Sequence, residues 1–126
     1  MFLIVAKYLI PKGYRGVTLF PFVLLKYRED LKDTILINHE KIHLRQQVEL
    51  LIVPFFIWYL LEYIFRLFQY KSADLAYRNI SFEREAYANE KNNQYLVRRS
   101  FFRFLDYVVL KKNSCNTIFI LLVPLF

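Results

Sequence analysis

The hydrophobic pattern of this chain changes period twice. Residues 2–10 form a short apolar run interrupted by Lys7 and closed by Pro11, which reads as a strand or as a surface-lying segment. Lys12-Gly13-Tyr14-Arg15-Gly16 reads as a turn. Residues 17–26 are rich in β-branched and aromatic side chains and contain Pro21. Proline has no N–H for a ladder, so this run predicts an edge strand or a strand with a bend. Such an edge could pair with an extended peptide; a plain hydrophobic core strand is the competing reading.

Residues 27–33 are charged, and Asp30 or Asp33 can cap a following helix. From Thr34 the apolar positions recur with helical spacing. At about 100° per residue, Ile37, Leu44, Val48, Leu51, Phe55 and Trp58 form one apolar stripe, which predicts the core-facing side. His39, His43, Gln47 and Leu50 fall beside it, and Lys41, Arg45 and Glu49 fall on the opposite, polar side. A single long helix over 34–68 is expected, kinked or interrupted at Pro54, where one helical hydrogen bond is lost.

Residues 50–61 carry no charge, and apolar character resumes beyond Glu62 and Arg66, whose i,i+4 spacing allows them to pair. The run approaches the roughly 20 residues a membrane span requires. Trp58, Tyr59, Tyr63 and Tyr70 suit the membrane–water boundary. The expectation is a hydrophobic hairpin or interfacially embedded helix, with a full span and an ordinary buried helix as alternatives. Residues 69–79 are polar, 80–97 read as a helix for which Ser81 is a weak cap, and 98–126 form an aromatic and apolar tail. In that tail Phe101, Phe102 and Phe104 point to core or membrane contact, Arg98 and Arg99 to a solvated or head-group-facing pair, and 115–126 to membrane anchoring or packing on the long helix.

Composition narrows the class. At 126 residues the chain is expected to be one domain spanning 1–126, with 1–33 as an N-terminal strand and turn region. Its 56% apolar content exceeds the roughly 45–50% of ordinary soluble domains, and two glycines and four prolines exclude linker-rich architecture. A net charge of +7 fits a nucleic-acid surface or anionic lipid head groups. Because the basic residues interleave with apolar runs and no nucleic-acid module is visible, membrane lipids are the expected partner and nucleic acid is not. Cys115, the lone cysteine, offers neither an internal disulfide nor a thiolate metal site. The first residues lack a basic leader and a small-residue cleavage site, so they do not read as a signal peptide.

The chemistry concentrates in Asn38-His39-Glu40-Lys41-Ile42-His43, which contains both histidines of the chain. On a helix, His39 and His43 stand one turn apart on one face and can share a metal ion, while Glu40 can polarise a water beside it. Catalytic zinc typically takes three protein ligands, so a third must come from elsewhere. The acidic stretch from Phe82 to Glu90 is the obvious source. Glu83 and Glu85 lie roughly 200° apart on a helix and cannot both face one ion. Glu85 shares its face with Asn89, and Ala86 and Ala88 would allow close helix approach, so Glu85 is the expected ligand. Asn89 would then hydrogen-bond the outer nitrogen of a ligand histidine. Glu83, on the side of Tyr87 and Glu90, reads as surface and is the alternative ligand. For oxyanion stabilisation Tyr77, Tyr87, Tyr95 and Arg78 are candidates, and nothing selects among them. Gln46 and Gln47 read as solvated or cleft-rim residues.

His39-Glu40-x-x-His43 followed by Glu85-Ala86-x-x-Asn89 resembles the gluzincin class of zinc metallopeptidases, and most nearly the membrane metallopeptidase domain of beta-lactam-sensing receptors. Residues 83–90 are similar to an aspartate-arginine-glutamate-x-alanine-cysteine-aspartate-glutamate run of those receptors. The resemblance covers roughly 39–90, and it implies Zn2+ as cofactor, Glu85 as ligand and Asn89 in place of an orienting aspartate. Two differences stand out: Asn89 lacks that aspartate's charge, and no sensor domain accompanies the site.

The fold expected is therefore mainly α with a small N-terminal β element, an α+β minimal zincin-like arrangement. The function expected is a small membrane-associated zinc metallopeptidase, of bacterial inner-membrane type by the resemblance. It would act on peptide or protein substrates with Glu40 as general base. The alternative is a non-catalytic membrane-associated structural or interaction protein that retains the helical scaffold.

Overall fold

A computed structural model describes residues 1–108. The expectation for 115–126 lies outside the described residues. The apolar N-terminal runs build a three-stranded sheet from β1 (Phe2–Val5), β2 (Gly16–Leu19) and β3 (Phe22–Leu25) in the order β1-β3-β2. β3 is central: it runs parallel to β1, with Phe2 opposite Phe22, and antiparallel to β2, with Gly16 opposite Leu25. The stretch 17–26 is therefore not one bent edge strand. Pro21 falls in the two-residue connection between β2 and β3, outside the ladder it cannot join. Val23 and Leu25 of the central strand are fully buried, whereas all four residues of β1 are exposed.

α1 (Thr34–Leu50) starts where Asp33 accepts a hydrogen bond from the Leu36 N–H at 3.1 Å. It does not continue into the apolar run. Leu51 adopts φ 63°, and a separate helix α2 (Ile52–Tyr70) follows. The break precedes Pro54, which occupies the first turn of α2, where a missing N–H sacrifices no helical bond. α3 (Ala73–Arg78), α4 (Ser81–Asn89) and α5 (Tyr95–Arg98) complete the helices, with α4 and α5 dividing the single helix expected over 80–97.

The outward and inward faces of α1 differ from the expected core stripe. The helix buries Asn38, His39, Glu40, Ile42, His43, Gln46 and Gln47, while Val48 of the apolar stripe is 47% exposed. Polar side chains fill this interior because β2 and α4, on either side, supply hydrogen-bond partners for them. The apolar core lies elsewhere: Phe55, Ile80, Phe82 and Phe104 cluster, with Phe82 centred 4.4 Å from Phe55 and 4.6 Å from Phe104. Phe101, by contrast, is 70% exposed.

α2 is long and apolar enough to cross a membrane, and only 17% of its apolar window is buried inside the fold. Its buried residues are Phe55, Glu62 and Arg66, with Glu62 and Arg66 paired at 3.5 Å. Apolar side chains such as Ile57, Leu60, Leu61 and Phe68 face outward. A water-soluble amphipathic helix shows the reverse distribution, whereas a helix in lipid keeps its charges on the protein side. The membrane-compatible helix and the HExxH helix are thus distinct elements.

Candidate metal centre

One turn of α1 separates His39 from His43, so both rings project toward α4, where Glu83 completes a buried cluster. Glu83 Oε2 lies 3.3 Å from His39 Nε2 and 3.2 Å from His43 Nε2, and the two Nε2 atoms are 3.2 Å apart. Donors about 2.0–2.2 Å from a tetrahedral ion stand about 3.3–3.6 Å from one another. The three atoms therefore form a near-equilateral triangle of the size that one face of such a site requires. Two imidazoles and a carboxylate, with a fourth position left for water or substrate, are a donor set suited to Zn2+. His39, His43 and Glu83 together can hold a metal ion.

The outer ring nitrogens are also committed. His39 Nδ1 meets Glu90 Oε2 at 2.8 Å, and His43 Nδ1 meets Gln46 Oε1 at 2.8 Å. An ionised carboxylate only accepts, so His39 carries its proton on Nδ1 and turns the lone pair of Nε2 inward. The Tyr87 ring packs edge-on against His39, with centroids 4.6 Å apart. The remaining oxygen of Glu83, Oε1, accepts from the Tyr59 hydroxyl at 2.8 Å, which leaves Oε2 for the histidines.

Electrostatics matches this layout. Burial alone would lower the His43 imidazole, but the Glu83 carboxylate overrides it and lifts the ring to about 9. Burial would likewise raise Glu83, yet the two imidazoles hold its carboxyl well below the usual carboxylate range. Without a cation among them the three inward atoms would be mutually repulsive, and a proton or a metal ion relieves that.

Glu40 stands against the edge strand. Its Oε2 accepts from Thr18 Oγ1 at 2.5 Å, and a Cβ at Gly16 would come within 2.8 Å of Oε1. Gln47 ties the same strand to α1, donating to Thr18 O at 2.8 Å and accepting from Phe20 N–H at 2.7 Å. Two cavities meet at Glu40. One, of about 570 Å³, is largely apolar and reaches from His43 and Glu83 to Phe55, Phe56 and Leu60. The other, of about 460 Å³, is polar and includes His39, Arg15, Asp33 and Glu90. Tyr14, Tyr63 and Tyr77 line both.

Glu85, the expected ligand, sits away from the histidines. It is fully buried against Arg99 Nε, accepts from the Tyr95 hydroxyl at 2.8 Å and takes a bond from Gln46 Nε2 at 2.6 Å. Arg99 also binds Glu49 Oε2 at 2.6 Å, and both side chains are fully buried, so neither Arg99 nor Glu49 is the solvated charge expected of it. The physical reason is charge pairing: Arg99 neutralises one α4 carboxylate, and the histidines face the other. Asn89 does not reach a histidine either. Its amide donates to Glu85 O at 2.8 Å and to the Tyr107 hydroxyl at 3.0 Å, while Glu90 and Gln46 meet the outer nitrogens instead.

The shared helical face of Glu83, Tyr87 and Glu90, which reads as surface in the sequence, is the one that meets the histidines. Two carboxylates on that face match two histidines: one meets both inward nitrogens and the other binds an outer one. Among the oxyanion candidates, Tyr95 is occupied by Glu85 and Arg78 pairs with Asp74 at 3.2 Å, whereas Tyr77 and Tyr87 line the polar cavity and their hydroxyls hydrogen-bond to each other. No protein-family model matches this chain, and no curated protein or solved structure matches it, so its functional reading rests on the site's own geometry.

Proposed function

We propose that this protein is a small membrane-associated zinc-dependent metallopeptidase in which His39, His43 and Glu83 hold the ion and Glu40 is the general base. The observation that carries the reading is the triangle of Nε2, Nε2 and Oε2 with sides of 3.2, 3.2 and 3.3 Å, backed by hydrogen bonds on both Nδ1 atoms. Zinc held there would supply Lewis acidity toward a carbonyl and lower the pKa of a nearby water.

The chain's own residues supply the rest. Thr18 fixes one oxygen of Glu40, and the missing side chain at Gly16 leaves room for the other. That carboxylate takes a proton from the attacking water and returns it to the leaving amine nitrogen. Tyr77 is the oxyanion donor of this reading: it lines both cavities, and burial together with Glu83 pushes its hydroxyl far up, so it stays protonated. An extended substrate lies beside β2 at Gly16, short of the Thr18 carbonyl that Gln47 already holds, with an apolar side chain in the cavity beside Phe56 and Leu60. The outward apolar face of α2 supports an enzyme held in or on a lipid bilayer, and the substrates of this reading are membrane-proximal peptides or proteins.

The test is a comparison of purified proteins for zinc content and for hydrolysis of a quenched apolar peptide. His39→Ala and Glu83→Gln lose zinc, whereas Glu40→Gln keeps it and loses hydrolysis. Equal hydrolysis by Glu40→Gln and the unsubstituted chain would remove its role as base. Stoichiometric zinc without any hydrolysis would leave a metal-bearing, non-catalytic scaffold.

A further inference from the structure

We infer that Gln46, held by the buried Glu85–Arg99 pair, is a positioning residue that orients His43 and keeps its inward nitrogen free for the ion. The inference rests on the metal reading above and assigns a task to the carboxylate that does not face the histidines.

The argument is one of donor and acceptor counting. The Gln46 amide nitrogen approaches Glu85 Oε2 at 2.6 Å and Phe82 O at 3.2 Å, both of which only accept. The nitrogen end of Gln46 therefore points to α4, and its oxygen end must point to His43 Nδ1, 2.8 Å away. An amide oxygen cannot donate, so Nδ1 keeps its hydrogen and Nε2 is the nitrogen that gives up a proton and turns its lone pair to an ion. Reversing the amide would set its nitrogen against the ring N–H and its oxygen against a carboxylate. Arg99 donates to both oxygens of Glu85 and the Tyr95 hydroxyl donates to Oε1, which together hold the carboxylate in place. Gln46, Glu85 and the Arg99 side chain are all fully buried, so water does not compete for these bonds. Orientation thus passes from a buried ion pair, through one amide, to a ring that meets the ion.

A charge exchange along this chain tests it. The full chain is purified in the lipid or detergent that keeps it monodisperse and is probed with Zn2+ by chelator competition and with Co2+ by visible absorption. Gln46→Leu weakens Zn2+ binding about 10–100-fold and alters the Co2+ band. Gln46→Glu sets two carboxylates against each other and also weakens binding. Adding Glu85→Gln to Gln46→Glu restores an acceptor at Nδ1 and a donor from position 85, and returns the affinity to within about threefold of the unsubstituted protein. A double variant that binds no better than Gln46→Glu, or a folded Gln46→Leu with unchanged affinity and Co2+ band, overturns the inference. A third readout needs no metal. In the metal-free protein the His43 Nδ1–H proton resonates downfield and exchanges slowly, and Gln46→Leu abolishes that signal. If the unsubstituted chain takes up no zinc, the metal reading falls and this resonance alone decides the relay: an unaltered signal in Gln46→Leu refutes it.

Discussion

The hydroxyl of Tyr59 donates to Glu83 Oε1 at 2.8 Å, joining the most lipid-compatible helix to the carboxylate that closes the histidine cluster. A second tie runs beside it: Glu62, also on α2, accepts from the Ser81 N–H and hydroxyl, each at 2.6 Å, at the start of α4. Helix α4 is therefore placed by α2, and Glu83 with it.

Tyr59→Phe should expose this dependence. Removing the hydroxyl leaves a buried carboxylate oxygen without its donor, a loss of about 1.5–3 kcal/mol for a bond to a charged group. Part of that falls on metal binding, so zinc affinity should drop about tenfold with the fold intact. Chelator competition, with circular dichroism as the control, measures both.

Truncating Glu62 should cost more. Glu62→Ala strips the Ser81 N–H of its acceptor and leaves Arg66, 3% exposed, without its carboxylate. Breaking one side of a buried ion pair destabilises by about 3–5 kcal/mol. Denaturant titration in detergent micelles should show that loss, and Glu62→Gln should recover part of it by still accepting from Ser81.

Gly16→Ala separates chemistry from binding. The new methyl would come 2.8 Å from Glu40 Oε1, so the flexible carboxylate rather than the strand must move. Displacing a base by about 1 Å can lower turnover roughly 100-fold. Zinc content should remain that of the unsubstituted chain, and kcat should fall. An unchanged kcat would show that the Glu40 position observed here is not the productive one.

The pH dependence has a definite sign. His43 is raised from 6.5 to about 9 on folding, so its contribution to metal-free stability is complete below 6.5 and is lost as pH rises through about 9. Glu83 is depressed from 4.5, so its contribution is complete above 4.5 and is lost as pH falls through its lowered value. Metal-free protein should therefore be most stable between about 4.5 and 6.5. Zinc binding runs the other way, because the ion displaces the His43 proton: its affinity should rise with pH up to about 9 and then level off. Thermal melts with and without zinc across this range check both slopes.

Several features are legible in the sequence because they depend on neighbours along the chain. The cap at Asp33, the Glu62–Arg66 pair and the one-turn spacing of His39 and His43 are local consequences of helix geometry. Pro21 and Pro54 also acted as proline must, but each settled at an element's margin rather than inside it. Boundary placement needs the ladder or turn that a proline avoids, and those are set by pairing partners.

Helical spacing alone could say that one of Glu83 and Glu85 would face the histidines, since two positions on a helix point in nearly opposite directions. Which one does so is decided by Arg99, 14 residues beyond Glu85, whose buried guanidinium claims Glu85 and Glu49. The polar interior of α1 was hidden for the same reason. Gln46 and Gln47 become core residues only because β2 and α4 bring acceptors and donors to them. The chain by itself determined which residue types could gather at a metal. Tertiary packing chose among them, because a charge can be buried only where another element delivers its partner.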